Sequence, residues 1–378
     1  MKDYLNTCAP LHFIFPADGD CLNNRDGEER EGMLFVPAAV CAPAGARIEI
    51  NEIPAEFDGK AYTARVPLRC GRTSLTAVNR ADGTRTTVAV WRLKGAEGGY
   101  RLSSDDNILF LQNITENKDR YASLFDDPYL AVYKKAHELA GAKVHLNLFY
   151  DTSTTEGFAK ERGYFDLSMM TDKFKEEWES NSDWLKLSFH ARNEKPDNPY
   201  THVTMKRMEE DVRLVNEQIV RFAGKRTLSE VTTVHFGDVS RGGLRALRNL
   251  GYRALAGYFE MADGEPLVAY QYPKALTEHV GARDFWKDNE EDIFFSRIDA
   301  VINSRPTAEE NISALKEALK NVHRAGFVEI MIHEQYFYPD YKWYLKNFED
   351  IVLKTCLWLN SQGYEGRLLG QLLKDTGV

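Results

Sequence analysis

Three of the nine histidines stand at the ends of apolar runs: His190 closes WLKLSFH, His235 lies near the end of EVTTVHF, and His333 closes FVEIMIH. A fourth run, KVHLNLFY, ends at Tyr150 and is followed by Asp151. Imidazole and carboxylate are ligands for a divalent ion such as zinc, and imidazole also moves protons near neutral pH. One cleft collecting these side chains would hold a metal and a proton donor together. Other polar residues occupy equivalent places: Glu194 after His190, Asp238 after His235, Glu260 after RALAGYF, Asn303 at the end of SRIDAVIN, and Glu334 after His333. Tyr336 and Tyr338 follow directly, and their rings suit a sugar face or a packed rim; Trp184 and Trp286 carry the same two readings.

Apolar runs of this kind deliver their end residues to one place only if they are strands of a common sheet. Between them lie helical patterns over 128–142, 171–181, 202–223, 242–250, 308–325 and 348–362, with Gly224, Gly251, Gly326 and Gly363 just past four of them. Strands apolar on both faces and alternating with helices predict a parallel sheet under helices, and six or seven units predict a closed or nearly closed (β/α)7-type barrel. In such a barrel the site forms at the carboxyl ends of the strands. The first part of the chain has a different rhythm. MLFVPAAV, ARIEINEI, AYTARVPL, TSLTAVNR and TTVAVWRL are short alternating runs separated by turn formers, the pattern of a small antiparallel, immunoglobulin-like β-sandwich. The boundaries read as a β-sandwich over 1–97, a linker and lead-in over 98–127, and the α/β barrel over 128–378.

Acids and bases are interspersed and the net charge is −9, which leaves no basic face for nucleic acid. No run approaches the roughly 20 apolar residues of a membrane span, and the brief apolar stretch near the start is shorter than a signal sequence, so a cytoplasmic location is expected. The five cysteines are scattered without a C-x-x-C pair, which argues against a disulfide scaffold or a zinc knuckle. The oligomeric state is not readable from these features.

The order of these residues resembles the polysaccharide deacetylase family, the NodB-homology group, over about 143–368. That family opens on a T-F-D-D motif, whose first aspartate is a base and whose second binds metal; the corresponding text is Leu148-Phe149-Tyr150-Asp151. Its paired histidines are matched by His190 and Glu194, and its final strand ending in histidine by Ile330-Met331-Ile332-His333. The resemblance implies a carbohydrate substrate and hydrolysis of an N- or O-acetyl group. A divalent metal, zinc by preference, would sit on Asp151, His190 and Glu194 or His235, with His333 as acid. Because Tyr150 occupies the base position, two alternatives accompany this one. A metal-free glycosidase would pair Asp151 with Glu260 or Glu334. A catalytically inactive barrel would bind carbohydrate without turnover.

Overall fold

The computed structural model describes residues 3–155 and 162–378. The N-terminal part forms two antiparallel sheets, one built on Met33–Cys41 and Tyr62–Leu68 and the other on Gly71–Asn79 and Arg85–Arg92. Their alternation is the cause. Leu34, Val36, Ala38 and Val40 all point inward, as do Tyr62, Ala64, Val66 and Leu68 across the pair, and they share one core with Leu75, Val88 and Val90 of the other sheet. An all-β N-terminal region is therefore present as the alternation predicts.

The segment expected to be a linker is the centre of the second part. Gly99–Asn107 is a wholly buried strand that pairs in parallel with Val144–Phe149 on one side and Phe327–His333 on the other. Its glycine, serines and aspartates read as a loop by composition, but each has an interior task. A Cβ at Gly99 would lie 2.9 Å from the Phe327 ring, so only glycine lets the strands meet there. Ser104 Oγ is 2.6 Å from the Tyr129 hydroxyl, and Arg101 meets Glu329 at 2.9 Å with both side chains fully buried. The lead-in is likewise structured, with Leu109–Glu116 a helix.

The parallel sheet runs Leu185–Ala191, Val144–Phe149, Gly99–Asn107, Phe327–His333, Ala300–Val301. A second group places Val231–Thr232, Ala254–Gly257 and Ile293–Arg297 in parallel, with Phe285–Asp288 antiparallel at its edge. The groups touch at both ends. Leu187 makes a parallel bridge to Leu228, while the Ile298 N–H donates to the Gly257 carbonyl and the Asp299 N–H to the Glu329 carbonyl, each at 2.8 Å. Phe285–Asp288 escaped the sequence reading, and the run SRIDAVIN caught Ile293–Arg297 only at its end and joined it to Ala300–Val301, because Lys287, Asp288 and the acids before Ile293 mask the period; Trp286 is buried there, donating to the Asp18 carbonyl at 2.9 Å.

Helices cover these strands by ordinary amphipathic logic. Met205–Ala223 starts at Thr204, whose hydroxyl accepts from the Arg207 N–H, and buries Met208, Val212, Val215, Ile219 and Phe222 at three- and four-residue spacing. It ends at Gly224, where φ is +82°. Among the described residues, no helix is long and apolar enough to cross a membrane.

Candidate metal centre

The site forms where Gly99–Asn107 ends. Successive side chains of a regular strand face opposite ways, which would separate Asp105 from Asp106. Asp106 is left-handed, with φ +62°, and the register against the neighbouring strand shifts between Ser104 and Asn107. That kink lets both aspartates line one cavity of about 290 Å³, together with His190, Glu194, His235 and His333. Tyr258, Ile298 and Met331 form its apolar wall.

Three ligand atoms converge there: one from each of Asp106, His190 and His235, all within 4.8 Å of one another. Asp106 Oδ1 lies 3.1 Å from His190 Nε2 and 3.4 Å from His235 Nδ1, and the two ring nitrogens are 3.1 Å apart. The far side of each ring faces a carbonyl, His190 Nδ1 at 2.6 Å from Thr233 O and His235 Nε2 at 3.1 Å from Glu194 O. A carbonyl only accepts, so each ring commits its N–H outward and turns a lone pair inward. Two imidazole lone pairs and a carboxylate oxygen facing each other repel unless a cation lies among them. Burial opposes charge on His190, but the carboxylates of Asp105 and Asp106 outweigh it and raise its pKa. Burial likewise works to raise Asp106, yet the two histidines hold it well below the usual carboxylate range. The two directions express one mutual attraction, carboxylate charge favouring the imidazolium and imidazole charge favouring the carboxylate. Glu194 adds a buried Oε2 without a hydrogen-bond partner among the described residues. The donor set, buried and oriented from behind, fits a divalent ion of the zinc type.

Behind the ligands lies a polar support. Gln335 Nε2 donates to Asp106 Oδ2 at 2.9 Å, so Oδ1 alone faces the histidines. Asn147 Nδ2 donates to Asp105 Oδ1 at 2.5 Å, and its amide oxygen accepts from the Ser188 hydroxyl at 2.5 Å. His333 Nδ1 meets Asn303 Oδ1 at 3.0 Å, leaving Nε2 without a protein partner among the described residues.

The sequence matches no family profile and no curated protein. Three solved structures share part of its shape. One is a 4-alpha-glucanotransferase from Thermococcus litoralis, at TM-score 0.47 and 9% identity over 74% of this chain and 40% of that one. A CE4 family pseudoenzyme from Bacillus anthracis gives TM-score 0.35 and 10% identity over 73% and 66%. A deacetylase solved with substrate gives 0.34 and 13% over 74% and 92%. The chain thus spans 40% of the glucanotransferase's length. Every one of these TM-scores lies below 0.5, so the likenesses carry no weight for activity.

Of the residues singled out in the sequence, His190, Glu194, His235 and His333 meet in the cavity, and Asn303 supports His333. Asp151 does not join them. Two residues past its strand, it accepts from the Ser153 N–H at 2.9 Å and hydroxyl at 2.5 Å, lies 3.9 Å from Arg192, and pairs through its backbone with Asp166. Tyr150 is half-buried beside it, its N–H on the Arg192 carbonyl at 2.8 Å, outside the cavity lining. Glu334 is fully buried on another side, accepting the N–H groups of Ile108, Leu109 and Phe110 at 2.6, 2.9 and 2.6 Å. It caps the Leu109–Glu116 helix rather than lining the cleft, and burial pushes its carboxyl up to about 7. Tyr338 is buried with it, donating its hydroxyl to Glu334 at 2.9 Å. Glu260 is exposed on a hairpin and pairs with Arg297 at 2.9 Å. Asp238 accepts from the Thr201 hydroxyl at 2.5 Å in a neighbouring cavity, and Tyr336 stands beside His333 with ring centroids 6.1 Å apart. Trp184 is core, stacked on His137 at 4.4 Å.

The residues missed are Asp105, Asp106, Asn147 and Gln335. A signal for the first two was present: adjacent aspartates in Ser103-Ser104-Asp105-Asp106, the Asp-Asp pair sought at Tyr150-Asp151. Asp151, Glu260 and Glu334 do not line this cavity, so the carboxylates named for a metal-free glycosidase are not part of the site described here.

Proposed function

We propose that this chain is a metal-dependent hydrolase that removes an acetyl group from a carbohydrate. The observation that carries the reading is the convergence of Asp106, His190 and His235 on one point with Asp105 and His333 lining the same cavity. Asp106, His190 and His235 would hold the ion, which supplies Lewis acidity toward a carbonyl oxygen and toward water. Asp105, fixed by Asn147, accepts a proton as water oxygen adds to the acyl carbon. His333, anchored by Asn303, gives a proton from Nε2 to the leaving nitrogen or oxygen as its bond to the acyl carbon breaks, yielding acetate and a free amine or hydroxyl. Tyr258 and the partly exposed Phe236, whose ring lies 4.4 Å from that of His235, offer faces for a sugar ring.

The same proposal includes a barrel. The bridge from Leu187 to Leu228 and the run of Ile293–Arg297 into Ala300–Val301 support reading the parallel strands as one seven-stranded ring. Asp105 near the place of the absent base and His235 near that of the second histidine support the active reading over the inactive barrel.

Zinc, cobalt and manganese titrations of the apoprotein, followed by assay of acetate release from acetylated oligosaccharides, test the assignment. One equivalent of ion should bind to the wild type and to Asp105→Asn, and none to Asp106→Ala; only the wild type should release acetate. A wild-type protein that takes up none of the three ions would overturn it.

A further inference from the structure

The amino ends of the parallel strands, opposite the metal centre, enclose a second cavity of about 490 Å³, within the range of small-ligand sites. Five of its lining side chains are cationic and three are carboxylates, in a chain whose net charge is −9. One of those carboxylates, Glu230, is already paired with Lys374 at 2.9 Å. Lys143 and Lys186 instead donate to the backbone carbonyls of Asp183 and Arg226, at 3.0 and 2.5 Å. Burial, then the charge of Lys374, depresses the Lys186 ammonium against the opposing pull of Glu230 and Asp183. The helix Leu369–Thr376 begins at the same cavity with Leu368 at its N-cap and no side-chain hydrogen bond capping it, and the Glu230 carboxylate lies beside Gly370 in its first turn.

His145 lines this cavity although it is only 2% exposed. Its Nε2 lies 3.1 Å from Ser188 Oγ, and the Ser188 hydroxyl donates to Asn147 Oδ1 at 2.5 Å. Ser188 has one proton and has used it, so Nε2 must be the donor. Burial, then the charges of Arg101 and Lys186, keep the ring neutral. Its Nδ1 is therefore a bare lone pair with no partner among the described residues, and an incoming hydroxyl is the group that satisfies it.

We propose that this cavity binds a small phosphorylated polyol of the sugar-phosphate class, its phosphate on Lys143, Lys186, Lys374 and the helix N-terminus and a hydroxyl on His145 Nδ1. The site is at the far end of the strands from the metal centre and goes beyond the hydrolytic reading.

Calorimetric titration of the full chain with glucose 6-phosphate, inorganic phosphate and glucose tests it. Glucose 6-phosphate should bind with a Kd below about 1 mM, inorganic phosphate more weakly, and glucose without measurable heat. The Lys186→Gln/Lys374→Gln variant, altered only at the rim, should lose at least tenfold in affinity with an unchanged melting temperature in the absence of ligand. In ring-labelled protein the His145 resonance, assigned through His145→Gln, should move with glucose 6-phosphate and not with phosphate. No saturable binding of glucose 6-phosphate, equal affinity in the lysine variant, or phosphate binding as tightly as the sugar phosphate would each overturn the proposal.

Discussion

Asn147 donates to Asp105 through a 2.5 Å hydrogen bond, and the direction of that bond is dictated by what lies behind it. The Asn147 oxygen accepts from the Ser188 hydroxyl, so only its amide nitrogen is left for the carboxylate. Asp105 is held as an acceptor by a side chain that cannot turn. Asn147→Leu is expected to lower turnover by about 10–100-fold while leaving ion stoichiometry unchanged, because it releases the base without touching the ligands. Its pH–rate profile should shift as well, which loss of packing alone would not do; an unshifted profile with full activity would show that Asp105 needs no support.

His333→Ala should lower turnover by ~10²–10⁴-fold, the usual worth of a positioned acid. Its Nδ1 contact to Asn303 sits at a half-buried edge, so melting temperature and ion binding should hardly change. Asn303→Ala removes the anchor alone and should give a smaller loss in kcat with KM little affected. Equal specific activity of the folded His333→Ala protein and the wild type would exclude the residue as acid.

Glu334, adjacent to His333 in sequence, is expected to behave in the opposite manner. Three backbone N–H groups and the Tyr338 hydroxyl lose their acceptor in Glu334→Ala. A cost of about 3 kcal/mol in urea unfolding follows from stranding those buried donors. Ion stoichiometry per folded molecule should be retained; a stable but inactive variant would place Glu334 in the chemistry.

Where the N-terminal region meets the α/β part, fully buried Asp20 lies 2.5 Å from His279 and 3.4 Å from Arg283. Burial alone would raise its carboxyl, but these two partners hold it below its ordinary value of 3.8. A carboxylate depressed in the folded state contributes stability above its unfolded pKa and loses it as pH falls through the folded one. Asp20→Asn should therefore cost about 3 kcal/mol at pH 7, and its deficit against the wild type should shrink below about pH 4. Chemical denaturation of both proteins at pH 7 and at pH 3 measures this, and a deficit that grows on acidification would contradict the sign.

Periodicity made much of the architecture legible without coordinates. KVHLNLFY, WLKLSFH and FVEIMIH are strands because unbroken apolar runs bury both faces, and His190 and His333 reach the cavity because strand ends open there. Met205–Ala223 and Phe348–Ser361 are helices within a few residues of their expected limits, since their apolar spacing has no other use.

What only the tertiary structure decided is which polar residues are interior. Gly99–Asn107 has the composition of a loop, and nothing local says that Ser104 will meet Tyr129, that Arg101 will meet Glu329, or that Asp106 will turn left-handed. Those partners lie 25 to 228 positions away, and a buried polar group is stable only through the partner that satisfies it. Asp151 and Glu334 illustrate the converse: acids at apolar run ends, fit for chemistry by type, whose oxygens are claimed by nearby Ser153 and by a distant helix start. Sequence determined which residue types stand at strand ends; the long-range pairing of strands determined which of them share a cavity.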